Sequence, residues 1–490
     1  MRRFWVTAAI VCVMGQGAMA QDRLVMGMAL EPPHLDPTAG AAAAIDEIVY
    51  ANLFEGLTRI DEQGTVQPAL ARSWEISDDG LIYTFQLAEG VTFHDGTEMD
   101  ASDVAFTLER AMAEDSINAQ KGLFEPINSV AAKGPSTVEI TLRRPAGQLL
   151  FNLGWGDAVI VAPESAETNK TEPVGTGPFR LAAWRQGSDV TIERFVGYWG
   201  EPVHLEGATF TFIPDPAAAM AAMLAGEVDA FANFPAPESM AQFEADPRFQ
   251  VVIGTTEGET ILAINNDRPP FDDLRVRQAI SHALDRRAII DGAMFGYGTP
   301  IGSHFAPHHP AYVDLTDINP YDPDRARALL AEAGHGEGLS LTIKLPPPSY
   351  ARRGGEIIAA QLAEVNIDAR LIPVEWAQWL EQVFRGDRDF DLTIVSHTEP
   401  MDIEIYARDD YYFAYGEPAF KELMTSLNEA TDEAARRDLM GEAQRMIADD
   451  AVNGFLFQLA KHGVWKTEIE GLWHNSPVQA NDLTQVRWAN

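Results

Sequence analysis

The chain has 490 residues, of which 36 are Lys or Arg and 73 are Asp or Glu, so its formal net charge at pH 7 is −37. This acidity argues against binding to nucleic acid, which requires a basic face to displace counterions, and against an anionic membrane surface. The hydrophobic fraction of 46% is typical of a globular protein, and the single Cys excludes a disulfide scaffold and a thiolate zinc site.

The first twenty residues have the pattern of a secretory signal peptide. Arg2-Arg3 precedes an apolar run over residues 4–14 that is too short to span a bilayer, and Ala18-Met19-Ala20 forms a small-x-small cleavage site. We expect residues 1–20, which include Cys12, to be removed on export. The position of Cys12 argues against lipidation, and no later segment reaches 18 uninterrupted apolar residues, so the sequence predicts an exported, unanchored protein in the periplasm or the medium.

The first half of the chain mixes hairpin and helix patterns, with turn signals between them. Asp100 and Asp103 offer capping side chains at the start of one amphipathic stretch. The spacing of the apolar residues predicts strands at 24–30, 83–87 and 137–142 and helices at 46–57 and 104–112.

The second half of the chain alternates strand and helix patterns. Gly226 follows the first of these helices as a C-cap, and Asp322 and Gly334 bracket the third. The pattern predicts helices at 214–225, 275–294, 323–333, 354–366 and 376–384 and strands at 339–345, 369–374 and 390–395. Such alternation implies a parallel sheet with helical cover, and therefore an α/β fold.

Short motifs run through the chain in an order characteristic of one family. They are Glu31-Pro32-Pro33-His34-Leu35-Asp36-Pro37, Asn52-Leu53-Phe54-Glu55-Gly56-Leu57, Pro68-Ala69-Leu70-Ala71 with Trp74, Asp79-Gly80 with Tyr83-Thr84-Phe85, Gly90-Val91-x-Phe93-His94-Asp95-Gly96, Val174-Gly175-Thr176-Gly177-Pro178-Phe179, Tyr198-Trp199, Gly226-Glu227-Val228-Asp229, Pro270-Phe271 with Arg275-Val276-Arg277-Gln278-Ala279, and Tyr321-Asp322-Pro323. Together they resemble the periplasmic solute-binding proteins of peptide-type (dipeptide, oligopeptide or nickel) ABC importers, family 5.

The resemblance implies a two-lobed clamp, the periplasmic-binding-protein fold of type II or cluster C, with an extra domain. It implies a discontinuous base lobe formed by residues 21–58, 172–262 and 465–490. Residues 59–171 would form a domain inserted into that lobe, and residues 263–464 the second lobe. The crossovers near residues 260–265 and 459–465 would then be the hinge, because a hinge needs only a few residues that absorb backbone change.

The resemblance implies a receptor and not an enzyme, without a cofactor. The expected ligand is a short peptide or another amine-bearing solute, captured between the closing lobes and delivered to an ABC permease in the inner membrane. The expected state is a monomer that is not inserted in the membrane. Alternatives are the same fold with a non-peptide solute (an oligosaccharide, an opine or a nickel complex) and, more remotely, an exported hydrolase, although no nucleophile–base set stands out.

Family positions point to ligand-binding residues on both lobes. In the base lobe a loop of small residues would let a peptide backbone approach and pair edge-on, although the same residues suit the first turn of a helix. The expected ligand-binding residues are Gly40, Ala41, Ala42, Tyr350, Trp376, His397, Asp402 and Tyr406. Trp376 also suits a core position, and the aromatic segment of residues 406–415 suits either a ligand wall or a packed loop.

Asp402 is the sharpest of these predictions. The resemblance implies that its carboxylate grips the α-ammonium of the ligand, because a desolvated charge requires a partner. The other interpretation is a solvated loop Asp. The sequence also departs from the family pattern, since His397 stands where Trp is usual and Ile403 where Pro is usual. The Arg that holds a dipeptide's carboxylate is replaced by a Pro-rich stretch, which leaves Arg352, Arg353 or Arg408 for that role.

One histidine cluster raises the question of a metal. His304, His308 and His309 lie within six residues, which suits metal binding. They are flanked by Pro307 and Pro310 and have no acidic or thiol neighbour in sequence, which favours an ordinary loop.

Overall fold

The computed structural model describes residues 22–40, 42–384, 388–398, 402–430 and 432–489. The predicted signal peptide lies outside these ranges. The strands are β1 Arg23–Met28, β2 Thr58–Ile60, β3 Val66–Pro68, β4 Ala71–Ile76, β5 Ile82–Leu87, β6 Ile127–Ala132, β7 Thr137–Leu142, β8 Phe179–Arg185, β9 Asp189–Arg194, β10 Gly207–Phe212, β11 Ala230–Phe231, β12 Phe249–Ile264, β13 Thr299–Pro300, β14 Leu339–Leu345, β15 Ile367–Pro373, β16 Leu392–His397, β17 Asn453–Lys466, β18 Ile469–Glu470 and β19 Arg487–Trp488. The helices are α1 Ala43–Val49, α2 Ala101–Met112, α3 Leu149–Asn152, α4 Pro216–Ala225, α5 Met240–Glu244, α6 Leu274–His282, α7 Arg286–Met294, α8 Pro323–Glu332, α9 Ser349–Glu364, α10 Trp376–Trp379, α11 Pro418–Glu429 and α12 Glu433–Asp449.

One large mixed sheet contains strands from both halves of the chain, in the order β15-β14-β16-β12-β17-β11-β1-β10-β9-β8. The pairs β14–β15, β14–β16, β1–β10 and β1–β11 are parallel, as the strand–helix alternation predicts. The pairs that involve β12 are antiparallel, and β12 and β17 lie side by side in the middle of the sheet.

The long pair β12–β17 is interrupted near its middle. Phe249 to Thr255 pair with Lys466 to Ala460 in register, and pairing resumes only where Glu259 faces Gln458. Three residues of β12 therefore oppose Leu459 alone, which is a bulge, and the Thr256 hydroxyl donates to the Leu459 carbonyl across it at 2.9 Å. On one side of the bulge β12 also pairs with β16, and on the other side β17 also pairs with β11.

Separate hydrophobic cores lie on the two sides of this bulge. Helices α6 to α9 cover one face of strands β14 to β16, with Ile280, Ile358 and Ile394 fully buried among them. Helices α11 and α12 and the aromatic segment of residues 406–415 cover the other face. Strands β1, β9 and β10 share a core with Leu472, Leu483 and Val486 near the end of the chain. Trp488 Nε1 also donates to the Arg23 carbonyl at 3.1 Å.

The segment that contains strands β4 to β7, called here the inserted segment, has its own sheet and core. Its antiparallel strands follow the order β4-β5-β7-β6, and α2 packs on them. The Asp100 carboxylate accepts from Ser102 N, and Asp103 reaches back to Asp100 N, so the predicted caps of α2 form a reciprocal capping box. Buried Val104, Leu108 and Phe85 belong to this core, which is distinct from that of β1 and β10.

Several of the family-like motifs meet at one buried carboxylate. Glu55 accepts hydrogen bonds from the Thr176 hydroxyl (2.8 Å), the Tyr198 hydroxyl (2.9 Å) and Trp199 Nε1 (2.9 Å). Gly175 packs directly under this joint, where an added Cβ would lie 2.0 Å from the Leu53 carbonyl oxygen. The motifs therefore join residues 21–58 to residues 172–262, the two parts of the chain that flank the inserted segment.

Two predicted helices differ from the structure. The predicted helix at 46–57 is wrong in its extent, because α1 spans Ala43–Val49 and Tyr50 is already extended. The predicted helix at 275–294 is two helices, α6 and α7. The chain breaks between them because the Asp285 side chain accepts from Ala288 N and starts a second helix. No helix among the described residues is long and apolar enough to cross a bilayer.

Candidate functional site

A cavity of about 500 Å³ lies between the inserted segment and the part of the molecule that contains strands β14 to β16. This size lies within the range usual for small-ligand sites. From the inserted segment it is lined by Gln120, Leu123, Gln148, Phe151, Asn152 and Trp155. From the other side it is lined by Trp379, Leu380, Phe384, Val395, Ser396, His397, Thr398, Asp402, Glu404, Ile405, Arg408 and Tyr411.

Asp402 lies on the cavity wall and is paired with a buried histidine. His304 Nε2 lies 2.6 Å from Asp402 Oδ1, and His304 Nδ1 lies 2.7 Å from Glu259 Oε1. The side chains of His304 and Glu259 are almost completely buried, whereas that of Asp402 is 18% exposed. Burial alone would lower the pKa of His304, but the two carboxylates raise it to about 10, so the ring is an imidazolium at neutral pH.

This trio connects the cavity to the bulge in β12. Glu259 is the residue of β12 at which pairing with β17 resumes. On the other side of β12 it is the register partner of His397 in β16. Burial raises the pKa of Glu259 to about 8. The Glu259 Oε2 and Tyr406 hydroxyl oxygens are buried nearby without a hydrogen-bond partner among the described residues. A change at Asp402 therefore acts directly on a buried group next to the bulge.

The neighbouring histidines have roles that sequence proximity does not reveal. His308 Nε2 lies 2.5 Å from Glu257 Oε1, and its Nδ1 lies 2.5 Å from the Thr255 hydroxyl, so it ties a residue of the bulge to the last paired residue before it. His309 stacks on Phe305 with ring centres 4.3 Å apart, and burial lowers its pKa to about 3. Two of these histidines, His304 and His308, pair with carboxylates that are distant in sequence, so the absence of an acidic sequence neighbour did not indicate their environment. Among the residues that the structure describes, no three His, Cys, Asp or Glu are grouped as a metal site.

His397 also lines the cavity, at the end of β16. Its Nε2 lies 2.9 Å from the Tyr412 hydroxyl, and its ring is nearly parallel to that of Tyr412 at a centre distance of 5.9 Å. Tyr412 is fully buried, so His397 is held from behind by the aromatic segment of residues 406–415. That segment is chiefly a packed core, of which Tyr411 reaches the cavity.

Three further predicted residues lie away from the cavity lining. Tyr406 is fully buried, with its ring against His304 and Phe413. The Tyr350 hydroxyl accepts a hydrogen bond from Ser396 N at 3.2 Å, which supports the strand that ends in the cavity wall. Trp376 is 42% exposed and meets Trp379 edge-on at 5.5 Å, so the core position considered for it is wrong.

The small-residue loop of the base is only partly described. Ala41 lies outside the described residues. Gly40 follows a 3₁₀ turn and packs against the His34 ring, and Ala42 is the half-buried N-cap of α1. Neither lines the cavity at Asp402.

Of the three arginines considered for a ligand carboxylate, one reaches the cavity. Arg352 donates to the Pro346 and Val374 carbonyls, both at 2.9 Å, and Arg353 lies over the Phe295 ring. Arg408 lines the cavity and is paired with Asp410 at 3.1 Å.

The wall contributed by the inserted segment was not predicted from sequence. Trp155 and Phe151 meet edge-on with ring centres 6.1 Å apart, and Asn152 lies between them in sequence on the same wall. Trp155 stands between two glycines, which is a local signal of a turn but not of a ligand site.

The cavity has the form of an interlobe binding site, and the comparison with known families agrees with it. Residues 65–402 match the model of the bacterial extracellular solute-binding proteins, family 5 Middle. The chain belongs to this family. The glutathione-binding protein GsiB of Salmonella paratyphi A (strain ATCC 9150 / SARB42) is 31% identical over 373 residues, 75% of this chain and 72% of that protein. That of Escherichia coli O1:K1 / APEC is 32% identical over 379 residues, 76% and 73% of the two chains.

Solved structures support the two-lobed fold of this family 5 protein. HbpA2 from Haemophilus parasuis superposes with a TM-score of 0.87 at 24% identity, covering 96% of this chain and 100% of that chain. The oligopeptide-binding protein AppA from Bacillus subtilis, in complex with a nonapeptide, gives 0.75 at 25% identity, covering 96% and 99%. The predicted family, fold class and solute-binding role are thereby confirmed.

Proposed function

We propose that this family 5 protein captures a short peptide or another amine-bearing solute in the cavity beside Asp402 and presents it to an ABC permease. The observation that carries the proposal is the cavity itself. One of its walls comes from the inserted segment and the other from the part of the molecule that contains strands β14 to β16. A ligand there would contact both sides only when they are close together. Binding would therefore shift the protein toward a closed form that a permease can recognise.

The composition of the walls suits a peptide. Trp155, Phe151 and Trp379 offer apolar surface for side chains, and Asn152 and Gln148 offer amide groups for a peptide backbone. Asp402 would receive the ammonium group, since its outer surface faces the cavity while His304 holds Oδ1 from behind. The relatives named for glutathione and for an oligopeptide make a peptide the first ligand class to test.

We extend the proposal to the organisation of the chain. The division into a base of residues 21–58, 172–262 and 465–490, an inserted domain of 59–171 and a second lobe of 263–464 is supported by the separate cores. We place the hinge at the bulge in β12, just before the predicted 260–265, because pairing there is weakest. A signal peptide at 1–20, a periplasmic location, a monomeric state and the absence of catalysis belong to the same proposal.

The test is a binding screen on the protein beginning at Gln21, stripped of co-purified solute by unfolding and refolding. Reduced glutathione, Ala-Phe and Ala-Ala-Phe are the probes, and their N-acetyl derivatives are the matched controls. A free-amine peptide at ~100 times its dissociation constant should add about 2.7 kcal/mol to stability, seen as a rise in melting temperature. Its N-acetyl form should have a much smaller effect, because acetylation removes the charge that Asp402 would bind.

The shape of the complex provides a second measurement. Small-angle scattering should report a smaller radius of gyration with the bound peptide than without it. The proposal fails if none of the probes raises the melting temperature, or if a bound peptide leaves the scattering curve unchanged. Equal binding of the acetylated and free peptides would remove the ammonium contact while leaving peptide capture in place.

A further inference from the structure

The trio of Asp402, His304 and Glu259 contains one basic group and two acidic ones. Asp402 lies on the cavity wall, whereas His304 and Glu259 lie behind it, outside the described lining. His304 Nε2 is 2.6 Å from Asp402 Oδ1, and its Nδ1 is 2.7 Å from Glu259 Oε1. Within the described ranges, His304 is the only basic group within 4 Å of either carboxyl group. One positive charge therefore faces two groups that can each carry a negative one.

A neutral Glu259 gives the trio a balanced charge before a ligand binds. Its side chain is only 3% exposed, and Oε2 has no hydrogen-bond donor among the described residues, so a carboxylate there would be poorly solvated. Burial accordingly raises the pKa of Glu259 to about 8. The pKa of His304, which burial alone would lower, is brought to about 10 by the two carboxyl groups. At neutral pH one imidazolium thus balances one carboxylate, that of Asp402.

The described surroundings of the trio are neutral or already paired. The titratable and charged groups that face it are Glu257 on β12, His308 and His309 on the segment of His304, His397 on β16, Tyr406 and Tyr412 of the aromatic segment, and Glu404 and Arg408 beside the cavity. Burial raises the pKa of both tyrosines well above 10 and lowers that of His309 to about 3, so these groups are neutral near pH 7.

The remaining groups have partners of their own. Glu257 pairs with His308 at 2.5 Å. Arg408 pairs with Asp410 at 3.1 Å. The Glu404 carboxylate accepts from the Asn428 amide, and His397 Nε2 lies 2.9 Å from the Tyr412 hydroxyl. A positive charge brought to Asp402 is therefore balanced first by the trio itself.

An ammonium group on Asp402 would give the trio two cations for one carboxylate. In a poorly solvated site these cations repel each other, and a second carboxylate removes the imbalance. We propose that Glu259 supplies the counter-charge for a cationic ligand: as the ammonium pairs with Asp402, Glu259 loses its carboxyl proton to the solvent and pairs with His304. This inference rests on the proposed function and adds that each bound amine is exchanged for a proton. Glu259 does not line the cavity, so it acts through His304 as a positioning residue.

Exchange of an ammonium ion for a proton makes the affinity depend on pH. By linkage, the affinity rises tenfold per pH unit for each proton that is released on binding. The α-ammonium of a peptide has a pKa of about 7.7–8.0 and stays largely charged up to pH 7. From pH 5.5 to 7 the wild type should therefore bind Ala-Ala-Phe about 3- to 10-fold more tightly per pH unit. N-acetyl-Ala-Ala-Phe, which brings no positive charge, should show no such dependence.

Calorimetric titration at pH 6.5 in phosphate and in MOPS counts the proton directly, because these buffers differ in their enthalpy of ionisation. The wild type should release about 0.5–1 proton for each Ala-Ala-Phe bound, and almost none for the N-acetyl peptide. Glu259→Gln keeps the size of the side chain but cannot ionise. It should release almost no proton and bind Ala-Ala-Phe roughly 10-fold more weakly at pH 7. Glu422→Gln, at an exposed position on α11, is the control and should match the wild type.

The proton count separates charge compensation from a structural role. If Glu259 only packed beneath His304, its substitution would weaken the free and acetylated peptides equally, and the wild type would release no proton. Where Glu259→Gln does not fold, the double variant with His304→Gln replaces it and should also release none. Binding of Ala-Ala-Phe to the wild type without proton release, or undiminished release in Glu259→Gln, overturns the inference while peptide capture stands. If no probe binds the wild type, both proposals fail.

Discussion

Substitution of His304 by Gln should strongly destabilise the protein, and the size of the effect follows from its surroundings. His304 bridges Glu259 and Asp402 at 2.7 and 2.6 Å in a nearly dry environment. Its removal leaves two carboxyl groups, those of Glu259 and Asp402, without the cation that lies between them. Breaking a buried pair in this way costs about 3–5 kcal/mol. For roughly 470 residues that unfold together, this corresponds to a melting temperature about 3–5 °C lower.

A second substitution should relieve much of that loss. Glu259→Gln combined with His304→Gln removes both the uncompensated acid and the base, and leaves neutral groups of similar volume. Neutral replacement of a whole buried pair is often close to neutral for stability. The double variant should therefore be more stable than His304→Gln alone. His204→Gln, at an exposed position, is the control and should match the wild type.

The wild type and the double variant should differ in their response to pH. The pKa of His304 rises from 6.5 to about 10 in the folded protein, so its contribution is complete below pH 6.5 and is lost as the pH rises toward 10. The raised pKa of Glu259, about 8, acts in the same direction, because the buried carboxyl resists ionisation as the pH rises.

The measurement is urea unfolding of both proteins at several pH values from 6 to 10. The difference between them is the informative quantity, since burial lowers the pKa of Lys461 to about 8 and makes the wild type gain stability between pH 8 and about 10.5. Both proteins contain Lys461, so its effect cancels in the difference. That difference should fall as the pH rises, by up to about 1.36 kcal/mol per pH unit for each of the two groups, His304 and Glu259, that titrates in the interval. A flat difference from pH 6.5 to 10 would refute the assignment of a charged bridge.

Three other substitutions test the cavity and the buried contacts around Glu55 and Gly175. Asp402→Asn should weaken binding of Ala-Ala-Phe by about 1.5–3 kcal/mol in calorimetry, whereas Asp409→Asn, outside the cavity, should leave it unchanged. Gly175→Ala should lower the free energy of unfolding by about 1–3 kcal/mol in urea, because its Cβ would collide with the Leu53 carbonyl. Glu55→Gln should cost about 1–3 kcal/mol in the same assay, since one amide oxygen cannot serve three donors, and a silent variant would contradict that arrangement.

Local signals in the sequence were sufficient for much of the fold. The Asp322 cap and the apolar spacing after Pro323 predict α8 almost to the residue, and the capping box of Asp100 and Asp103 is present as expected. These features depend on neighbours within one helical turn. Contacts between distant motifs, such as those of Glu55 with Tyr198 and Trp199, were not predicted from the sequence, because they depend on how the whole chain folds.

The site was predicted less completely, for a physical reason. His397 and Asp402 do line the cavity, but Tyr406 is in the core and Trp376 is away from the lining. Which side of a loop faces a cavity depends on packing against segments far away in the chain. The same limit made His304 look like an ordinary loop residue, although its carboxylate partners lie on a strand and a turn that only the folded chain brings together.

The meeting of the two ends of the described chain has a consequence for biosynthesis. Leu24 and Met26 share their core with Leu483 and Val486, and Trp488 donates to the Arg23 carbonyl. A ribosome produces these partners last, so the core around the first strand stays incomplete until nearly the whole polypeptide exists, although its sheet neighbours β10 and β11 are made earlier. Contacts of such long sequence separation slow folding. A nascent chain cut short before residue 465 should consequently leave its first strand less protected against proteases than in the full chain, while the four-stranded sheet of the inserted segment could already form.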